Sequence, residues 1–331
     1  MKTKVLYVLV SNQEDVFLEQ TYISIYSLRK HNPSVHVTIL IDDVTDESLC
    51  GIRANILKLI DEKIVVNLDR KLTNKYKSRV LKTNMRNYVD GDFLYIDSDT
   101  IILSDLSEAD TINEDIAAVF ELNRCIKDNL GRKSAIEPLE RIGGHLDESD
   151  EYYNSGVIFV KDNAETKNFF QSWYNTWQEG TKVNVFFDQP ALGVLNHKLG
   201  NKIKQLSGDW NCQGRYGARY YRTAKIFHYL YDASFDHPLM SKNLFKGLKN
   251  NRTISDEIEG IISNPFIFMS PINEVLTGND IALIHSRYYS AIRSFQRKCP
   301  QLYNGIDGFN ERVYQFFLKY IKRKRNLTPP R

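Results

Sequence analysis

The sequence predicts an α/β fold, in which a mixed, mainly parallel sheet is flanked by helices and followed by a mostly helical C-terminal annex. Over the first hundred residues, short apolar segments typical of buried strands alternate with longer segments of helical periodicity. That alternation is lost after about residue 235, where polar segments and scattered prolines follow. We therefore predict a larger domain over residues 1–238 and an annex over residues 239–331.

The spacing of apolar residues predicts the individual elements in order. Short β-rich runs predict strands at Val5–Val10, Val35–Ile41, Lys63–Asn67, Asp92–Ile96, Ile116–Glu121, Val157–Val160 and Ile281–His285. Helical spacing predicts helices at Leu18–His31, Asp46–Leu59, Tyr76–Tyr88, Asn168–Gln178 and Phe309–Lys322. Asn32-Pro33 is expected to end the first helix, and Thr45 or Asp46 to cap the second. Residues 122–150 are polar and irregular, so we expect a loop there.

The charge is distributed unevenly along the 331 residues. Seven basic residues and no acidic one lie from Arg312 onward, so the net charge of +3 becomes −4 for residues 1–311. A nucleic-acid-binding protein usually carries basic residues across a working face, and this body is mildly acidic. We expect no nucleic-acid partner.

The cysteines and the N-terminus favour a cytoplasmic protein. The four cysteines, Cys50, Cys125, Cys212 and Cys299, form no CxxC pair, so we expect free thiols in a reducing compartment. The first ten residues lack the long apolar run and cleavage site of a signal peptide. No run approaches the 18 apolar residues of a membrane span.

The strongest chemical signal is Asp97-Ser98-Asp99, which follows the predicted strand Asp92–Ile96 directly. Ligands bind beyond the carboxyl ends of the strands in open α/β sheets. Two carboxylates at that edge are typical ligands of Mg²⁺ or Mn²⁺, cations that proteins often bind together with substrate phosphates. The alternative is a solvated turn or a helix cap, since Asp-Ser-Asp suits both.

Further short motifs occur in a fixed order around this one. They are Ser27-Leu28-Arg29-Lys30-His31-Asn32-Pro33, Arg79-Val80-Leu81-Lys82, Tyr153-Asn154-Ser155-Gly156-Val157, Phe187-Asp188-Gln189-Pro190, Trp210-Asn211 and Ile226-Phe227-His228. In order and spacing, the series resembles glycosyltransferase family 8, whose members are nucleotide-sugar glycosyltransferases of the Rossmann-like GT-A fold. The resemblance covers roughly residues 3–238 and implies that they form the nucleotide-sugar-binding and catalytic domain.

The resemblance implies a metal site. Asp97 and Asp99 would hold Mn²⁺ or Mg²⁺ against the donor diphosphate, with His228 as the third protein ligand. A histidine at the end of an apolar run is otherwise a core residue bonded to a backbone group. His285 follows a similar apolar run and is the rival for the third position.

The resemblance also implies a donor site, in which a nucleotide-sugar would be bound by Val10, Ser11, Asn12, Arg79, Lys82, Ser98, Asn154, Ser155 and His237. Arg79 and Lys82 lie three apart on one predicted helix and share a face. Their alternative is a solvated basic face that pairs with Asp90 or Asp92. The family's Lys-Pro-Trp motif is missing here, and His237-Pro238 stands in its place.

Asp188 and Gln189 are the implied catalytic residues, with Asp188 on the donor hydroxyls and Gln189 near the reacting carbon. The family retains the anomeric configuration. Because an amide is a poor nucleophile, a front-side reaction fits better than a double displacement. The alternative for Asp188 is a helix N-cap before Pro190.

We therefore expect a metal-dependent glycosyltransferase that uses a nucleotide-sugar donor, with a UDP-sugar as the first candidate. The acceptor would be a hydroxyl group of a glycan or lipid-linked glycan, in surface polysaccharide or glycoconjugate synthesis. One alternative is a nucleotidyltransferase, although Ser11–Asp15 lacks the glycines and basic residues of the loop that those enzymes carry after the first strand. The other is a non-catalytic nucleotide-sugar-binding protein.

The amphipathic segment Phe309–Lys322 leads into Lys322-Arg323-Lys324-Arg325. It predicts peripheral contact with the inner face of a membrane, or else a helix packed on the body with a solvated end.

Overall fold

The computed structural model describes residues 1–129, 132–147, 150–230, 239, 242–251, 253–268 and 286–325. The chain divides into two compact units, Met1–Pro271 and Ile272–Arg331. The predicted strand Ile281–His285, the residue His237 and the boundary predicted at residue 238 lie outside the described residues. The division into a catalytic domain and an annex therefore stays a prediction.

The described residues form ten strands and ten α-helices. The strands are β1 (Lys4–Leu9), β2 (Val37–Asp42), β3 (Glu62–Val66), β4 (Phe93–Ile96), β5 (Thr100–Ile102), β6 (Ile116–Phe120), β7 (Tyr153–Val160), β8 (Ile203–Gln205), β9 (Cys212–Gln213) and β10 (Ile226–His228). The helices are α1 (Phe17–His31), α2 (Asp43–Ser48), α3 (Asn74–Thr83), α4 (Arg132–Arg141), α5 (Ala164–Lys182), α6 (Asp188–Lys198), α7 (Lys242–Asn251), α8 (Asp256–Ser263), α9 (Arg287–Lys298) and α10 (Pro300–Arg325).

A seven-stranded mixed sheet lies at the centre of the first unit, in the order β3-β2-β1-β4-β7-β6-β8. β1 pairs in parallel with β2 and β4, and β2 with β3, whereas β7 runs antiparallel to β4 and β6. Because β7 is antiparallel, its first residues lie at the same sheet edge as the carboxyl ends of β1 and β4. The predicted α/β class with a mainly parallel sheet is confirmed.

Each face of the sheet carries its own core. Val5, Tyr7 and Leu9 of β1 contribute to one cluster, which includes residues of α1. Leu6 and Val8 contribute to the other, which includes residues of α3, α5 and α6. Alternation of side chains along a strand separates the two sets, so a fully buried strand reads as a continuous apolar run.

Two elements differ from their sequence predictions. The predicted helix Asp46–Leu59 is instead α2 followed by a 3-10 helix at Gly51–Lys58, because Gly51 has a φ of 54°, which no α-helix contains. Asp42 caps α2, accepting a hydrogen bond from the amide of Thr45 at 3.1 Å.

The predicted loop over residues 122–150 contains α4. Its Leu139 is fully buried and belongs to a small apolar cluster that also includes Tyr152 and Val194. Tertiary packing of Leu139, and of Ala135 and Ile136 on the same helix, outweighs the polar character of the segment. None of the helices in the described ranges is long and apolar enough to cross a bilayer.

Candidate active site

The site lies at the sheet edge where β1 and β4 end and β7 begins. Ile96 of β4 pairs with Val157 of β7, and the next residue, Asp97, donates its backbone N–H to the carbonyl of Gly156 at 2.7 Å. This bond fixes the Asp97-Ser98-Asp99 turn against the Asn154-Ser155-Gly156 segment. Two of the motifs singled out in the sequence therefore meet through the backbone itself.

Helix α1 holds the turn from the other side through buried hydroxyl groups. Thr21 Oγ1 lies 2.8 Å from Ser98 Oγ, and Ser24 Oγ lies 2.7 Å from Thr100 Oγ1. Residues three apart on a helix share a face, which explains how α1 reaches both positions. Ser98, predicted to bind the donor, is thus partly engaged in holding its own turn.

Asp97, Asp99 and His228 form a cluster suited to a divalent cation. One ligand atom from each lies within 4.8 Å of the others. The strand β10 pairs with β5 so that His228 lies opposite Thr100, which brings its Nε2 atom to 3.2 Å from Asp99 Oδ1. Two carboxylates and one imidazole suit Mn²⁺ or Mg²⁺, and the residues present therefore fit the implied group.

Gly156 makes room for this cluster. A Cβ atom at position 156 would lie 2.3 Å from Cε1 of His228. The absence of a side chain therefore lets the histidine ring lie directly against β7. The glycine of the Asn154-Ser155-Gly156 motif thus has a packing role.

The electrostatics of His228 follow from its carboxylate neighbours. Burial alone would lower the pKa of this imidazole, but Asp99 and then Asp97 outweigh burial, and the pKa is raised above 6.5. A cation bound at Nε2 would have to displace a proton held there, since a metal ligand must offer its lone pair.

A second group of charges lies beside the cluster. Lys82 Nζ donates to Asp97 Oδ1 at 3.0 Å and lies 3.4 Å from Asp188 Oδ2. Arg79 Nε lies 2.8 Å from the other oxygen of Asp188. Tyr95, two residues before Asp97 and so on the same strand face, donates its hydroxyl to Asp97. The acidic turn and the Arg79–Lys82 helix therefore form one network.

Asp188 is the buried centre of this network. Burial alone would raise the pKa of its carboxyl group, but Lys82, Arg79 and the hydroxyl of Ser155, which donates to it at 2.7 Å, hold the pKa well below 3.8. The carboxylate is therefore ionised throughout the physiological range.

Two of the alternatives weighed in the sequence are wrong. Lys82 is 3% exposed and pairs with Asp97 and Asp188, so it belongs to no solvated face. Asp188 is the first residue of α6 rather than its N-cap, which is Phe187. Its carboxylate is turned toward Arg79 and Lys82 instead of capping the helix.

The remaining predicted residues lie around this centre. Asn154 and Ser155 open β7, and Gln189 Oε1 lies 3.5 Å from the Ser155 amide. Val10, Ser11 and Asn12 follow β1 at the same edge of the sheet. His237, which was predicted to bind the donor, and His285, the rival third metal ligand, lie outside the described residues.

The loop after β1 is tightly held. Ser11 donates to Asp15 at 2.7 Å, its amide donates to Thr45 at 3.0 Å, and the carbonyl of Asn12 accepts from Arg53 at 2.8 Å. A loop fixed in this way is preorganised for a ligand that binds at the carboxyl end of β1.

Three residues of the site were missed as functional candidates. Glu121 accepts from Asn154 Nδ2 at 2.8 Å, and burial raises the pKa of its carboxyl group. Asn211 contacts both Asn154 and His228. The role of Tyr95 could have been predicted from the sequence, because a residue two positions before Asp97 in a strand lies on the same face of that strand. For Glu121 a weaker signal was present in the sequence, because this carboxylate closes the predicted strand Ile116–Glu121, whose carboxyl end lies at the same sheet edge as that of β4.

The sequence matches the model of one protein family, and the fold resembles those of solved structures. The family model for glycosyl transferase family 8 matches residues 8–233, which is more than half of the chain. No curated protein sequence matches. The solved structures include mouse xyloside xylosyltransferase 1 in its apo form, with 11% identity over 69% of this chain and 97% of that one, at a TM-score of 0.47. They also include the glycosyltransferase GlyE of Streptococcus pneumoniae TIGR4, with 17% identity over 83% of this chain and 67% of that one, at a TM-score of 0.48.

The fold, the acidic turn at the sheet edge and the family match together define a glycosyltransferase of the GT-A type. The chain belongs to glycosyl transferase family 8.

Proposed function

We propose that this protein transfers a sugar from a nucleotide-sugar, in the first instance a UDP-sugar, to a glycan hydroxyl with the help of Mn²⁺ or Mg²⁺. The observation that carries the proposal is the juxtaposition of Asp97, Asp99 and His228 with the Arg79–Lys82–Asp188 network at one sheet edge. The first group suits a cation and the second suits the polar groups of a donor.

The charge balance of the site supports a need for the cation. Three carboxylates (Asp97, Asp99 and Asp188) face two basic side chains (Arg79 and Lys82), so with His228 neutral, as a metal ligand must be, the network carries a net charge of −1. A diphosphate would be repelled by such a site without a further positive charge. A bound divalent cation would neutralise charge that develops on the departing nucleoside diphosphate.

The chain's own residues would orient the donor. Arg79 presents a planar fork of donors suited to phosphate or carboxylate oxygens. Asp188 and the amide group of Asn154 suit the hydroxyl groups of the sugar, since both lie beside Ser155 at the start of β7. Gln189 carries an amide, which is a poor nucleophile, so for the retention that the family resemblance implies a front-side transfer fits better than a double displacement.

A panel of nucleotides and nucleotide-sugars tests the proposal. With Mn²⁺ present, UDP and one UDP-sugar should raise Tm, because a ligand at a hundredfold excess over its Kd stabilises the fold by about 2.7 kcal/mol. The same UDP-sugar should be hydrolysed slowly and transferred to a suitable acceptor, and excess EDTA should abolish both reactions.

The controls are GDP, ADP and the corresponding sugars. Transfer that is unchanged in EDTA would contradict the role of the metal. Pyrophosphate release from a nucleoside triphosphate would indicate a nucleotidyltransferase, and binding without any turnover would indicate a non-catalytic protein.

We also infer that the C-terminal helix α10 contacts the anionic cytoplasmic face of a membrane. Such contact would bring the enzyme close to a lipid-linked glycan acceptor. Its exposed apolar side chains recur at helical spacing along one stripe: Leu302, Ile306, Phe309, Val313, Phe316 and Phe317. Four consecutive basic residues, Lys322–Arg325, follow in the sequence. An apolar stripe with a basic end is typical of helices that lie in the membrane interface.

Replacing Lys322, Arg323, Lys324 and Arg325 together by glutamine in the full-length chain should weaken binding to anionic vesicles by up to about 4 kcal/mol, at roughly 1 kcal/mol per basic residue. The measurement is co-sedimentation with vesicles of phosphatidylcholine containing phosphatidylglycerol, and pure phosphatidylcholine serves as the control. Transfer to a soluble acceptor should be unchanged. Equal binding of the variant and the original chain to anionic vesicles would refute the inference.

A further inference from the structure

A chain of hydrogen-bonded side chains leads from Glu121 to His228 behind the cation cluster. Asn154 Nδ2 donates to Glu121 Oε2 at 2.8 Å, and Asn211 Nδ2 donates to Asn154 Oδ1 at 2.8 Å. Asn211 Oδ1 lies 3.1 Å from His228 Nδ1. Asn154, Asn211 and His228 are each at most 6% exposed, so water has little access to these bonds.

The direction of every bond in this chain is fixed by one backbone group. The N–H of Gly156 can only donate, and it lies 2.9 Å from a side-chain atom of Asn154, which must therefore be the carbonyl oxygen Oδ1. The atom of Asn211 that contacts this oxygen must then be its nitrogen. The carbonyl oxygen of Asn211 is left to face His228. The carboxylate of Glu121, an acceptor, agrees with the same direction at the other end.

This direction decides which imidazole nitrogen of His228 holds its proton. Because Asn211 Oδ1 can only accept, Nδ1 of His228 must carry a hydrogen. Nε2 lies 3.2 Å from the Asp99 carboxylate, which is also an acceptor, so without a cation this nitrogen holds a proton as well. A cation bound at Nε2 would take the place of that proton, whereas the Nδ1–H bond to Asn211 would remain.

We propose that Asn211, held by Asn154 and Gly156, is a positioning residue that fixes the Nδ1–H tautomer of His228 and so presents the Nε2 lone pair to the cation. This rests on the proposed metal dependence of the enzyme. Partners behind a metal-binding histidine commonly set its tautomer and orientation, and their loss typically costs 10–100-fold in metal affinity. The Trp210-Asn211 motif thereby acquires a role.

The test compares Asn211→Ala with Asn196→Ala. Asn196 is also a buried asparagine whose side chain accepts from a backbone amide, that of Ile203 at 2.9 Å. It lies eight residues along α6 from Asp188, about 12 Å at 1.5 Å per residue, so it controls for the loss of a buried amide outside the site.

The first measurement is ¹⁵N NMR of the imidazole groups in the full-length protein with saturating Mg²⁺, which is diamagnetic, and His228 is assigned from a His228→Gln variant. We expect Nδ1 to be protonated in the original chain and in Asn196→Ala. In Asn211→Ala we expect a shift toward the Nε2–H form, since the cation is then held less tightly and Asp99 accepts from Nε2. An Nε2–H tautomer in the original chain saturated with Mg²⁺ would overturn the inference.

The second measurement is the Kd for Mn²⁺ by calorimetry. We expect an increase of about 10–100-fold in Asn211→Ala and little change in Asn196→Ala. An unchanged Kd in Asn211→Ala would overturn the inference while the metal dependence stood. An original chain that binds neither Mn²⁺ nor Mg²⁺ would instead overturn the metal dependence.

Discussion

An Asp99→Asn variant is expected to lose Mn²⁺-dependent sugar transfer almost completely, by a factor of about 10³. The cluster offers two carboxylates and one imidazole within 4.8 Å, and the substitution removes one of its two negative charges. A cation contributes several kcal/mol to the stabilisation of a departing phosphate, and 1.4 kcal/mol corresponds to a tenfold change in rate. Transfer rates measured at saturating donor, with Mn²⁺ varied, test the expectation.

Folding should survive this substitution. The side chain of Asp99 is 21% exposed, and asparagine has nearly the same volume. Tm in EDTA should therefore stay close to that of the original chain, whereas the rise in Tm on addition of Mn²⁺ should vanish. Asp105→Asn makes the same chemical change at an exposed position after β5 and should leave both quantities unchanged. Full transfer activity in Asp99→Asn would remove this cluster from the mechanism.

The position of the acidic turn could be predicted from the sequence because its causes are local. An apolar strand followed at once by Asp97-Ser98-Asp99 puts two carboxylates at the carboxyl edge of the sheet. The alternation of strands and helices likewise predicted the parallel part of the sheet, since each buried strand reads as an apolar run. These are signals within a few residues of one another.

The connections between distant residues could not be predicted in the same way. Lys82 pairs with Asp188 across 106 positions, and the antiparallel strand β7 is what brings Ser155 between the two motifs. A helical face of Arg79 and Lys82 looks the same in sequence whether solvent or a carboxylate covers it. The order of strands in the sheet decides whether solvent or a carboxylate covers this helix face.

The network also explains how charged side chains can be buried in this protein. Lys82 is 3% exposed and Asp188 4% exposed, yet each has an opposite charge and a hydrogen bond to offset the loss of water. Such a network costs stability to assemble, and its value lies in holding donors and acceptors in a fixed geometry. Removing one member therefore affects both stability and turnover.

The Asp188→Asn variant is expected to lose about 3 kcal/mol of unfolding free energy and at least about 10²-fold in turnover. Arg79 and Lys82 would be left beside a neutral group, and breaking one partner of a buried ion pair typically costs 3–5 kcal/mol. Lys82 also donates to Asp97, so a small displacement would disturb the acidic turn, and a misplacement of about 1 Å can cost 10²-fold. Urea unfolding and initial rates measure the two losses.

The pH dependence of this difference has a definite sign. The pKa of Asp188 is lowered in the folded state, so its contribution is fully present above the unfolded pKa near 3.8 and is lost as the pH falls through the lower folded pKa. The stability gap between the original chain and Asp188→Asn should thus be constant near neutral pH and narrow only below about pH 4.

Asp162→Asn separates the catalytic part of this effect from the structural part. Asp162 also pairs with a buried arginine, Arg86, at 3.4 Å, but it follows the end of β7, at the sheet edge opposite the acidic turn. Its loss should lower the unfolding free energy with little effect on turnover per folded molecule, because it lies at the sheet edge opposite Asp97 and Asp188. If Asp162→Asn reduced turnover as strongly as Asp188→Asn, the loss in both would be one of folding, and Asp188 would have no place at the reacting sugar.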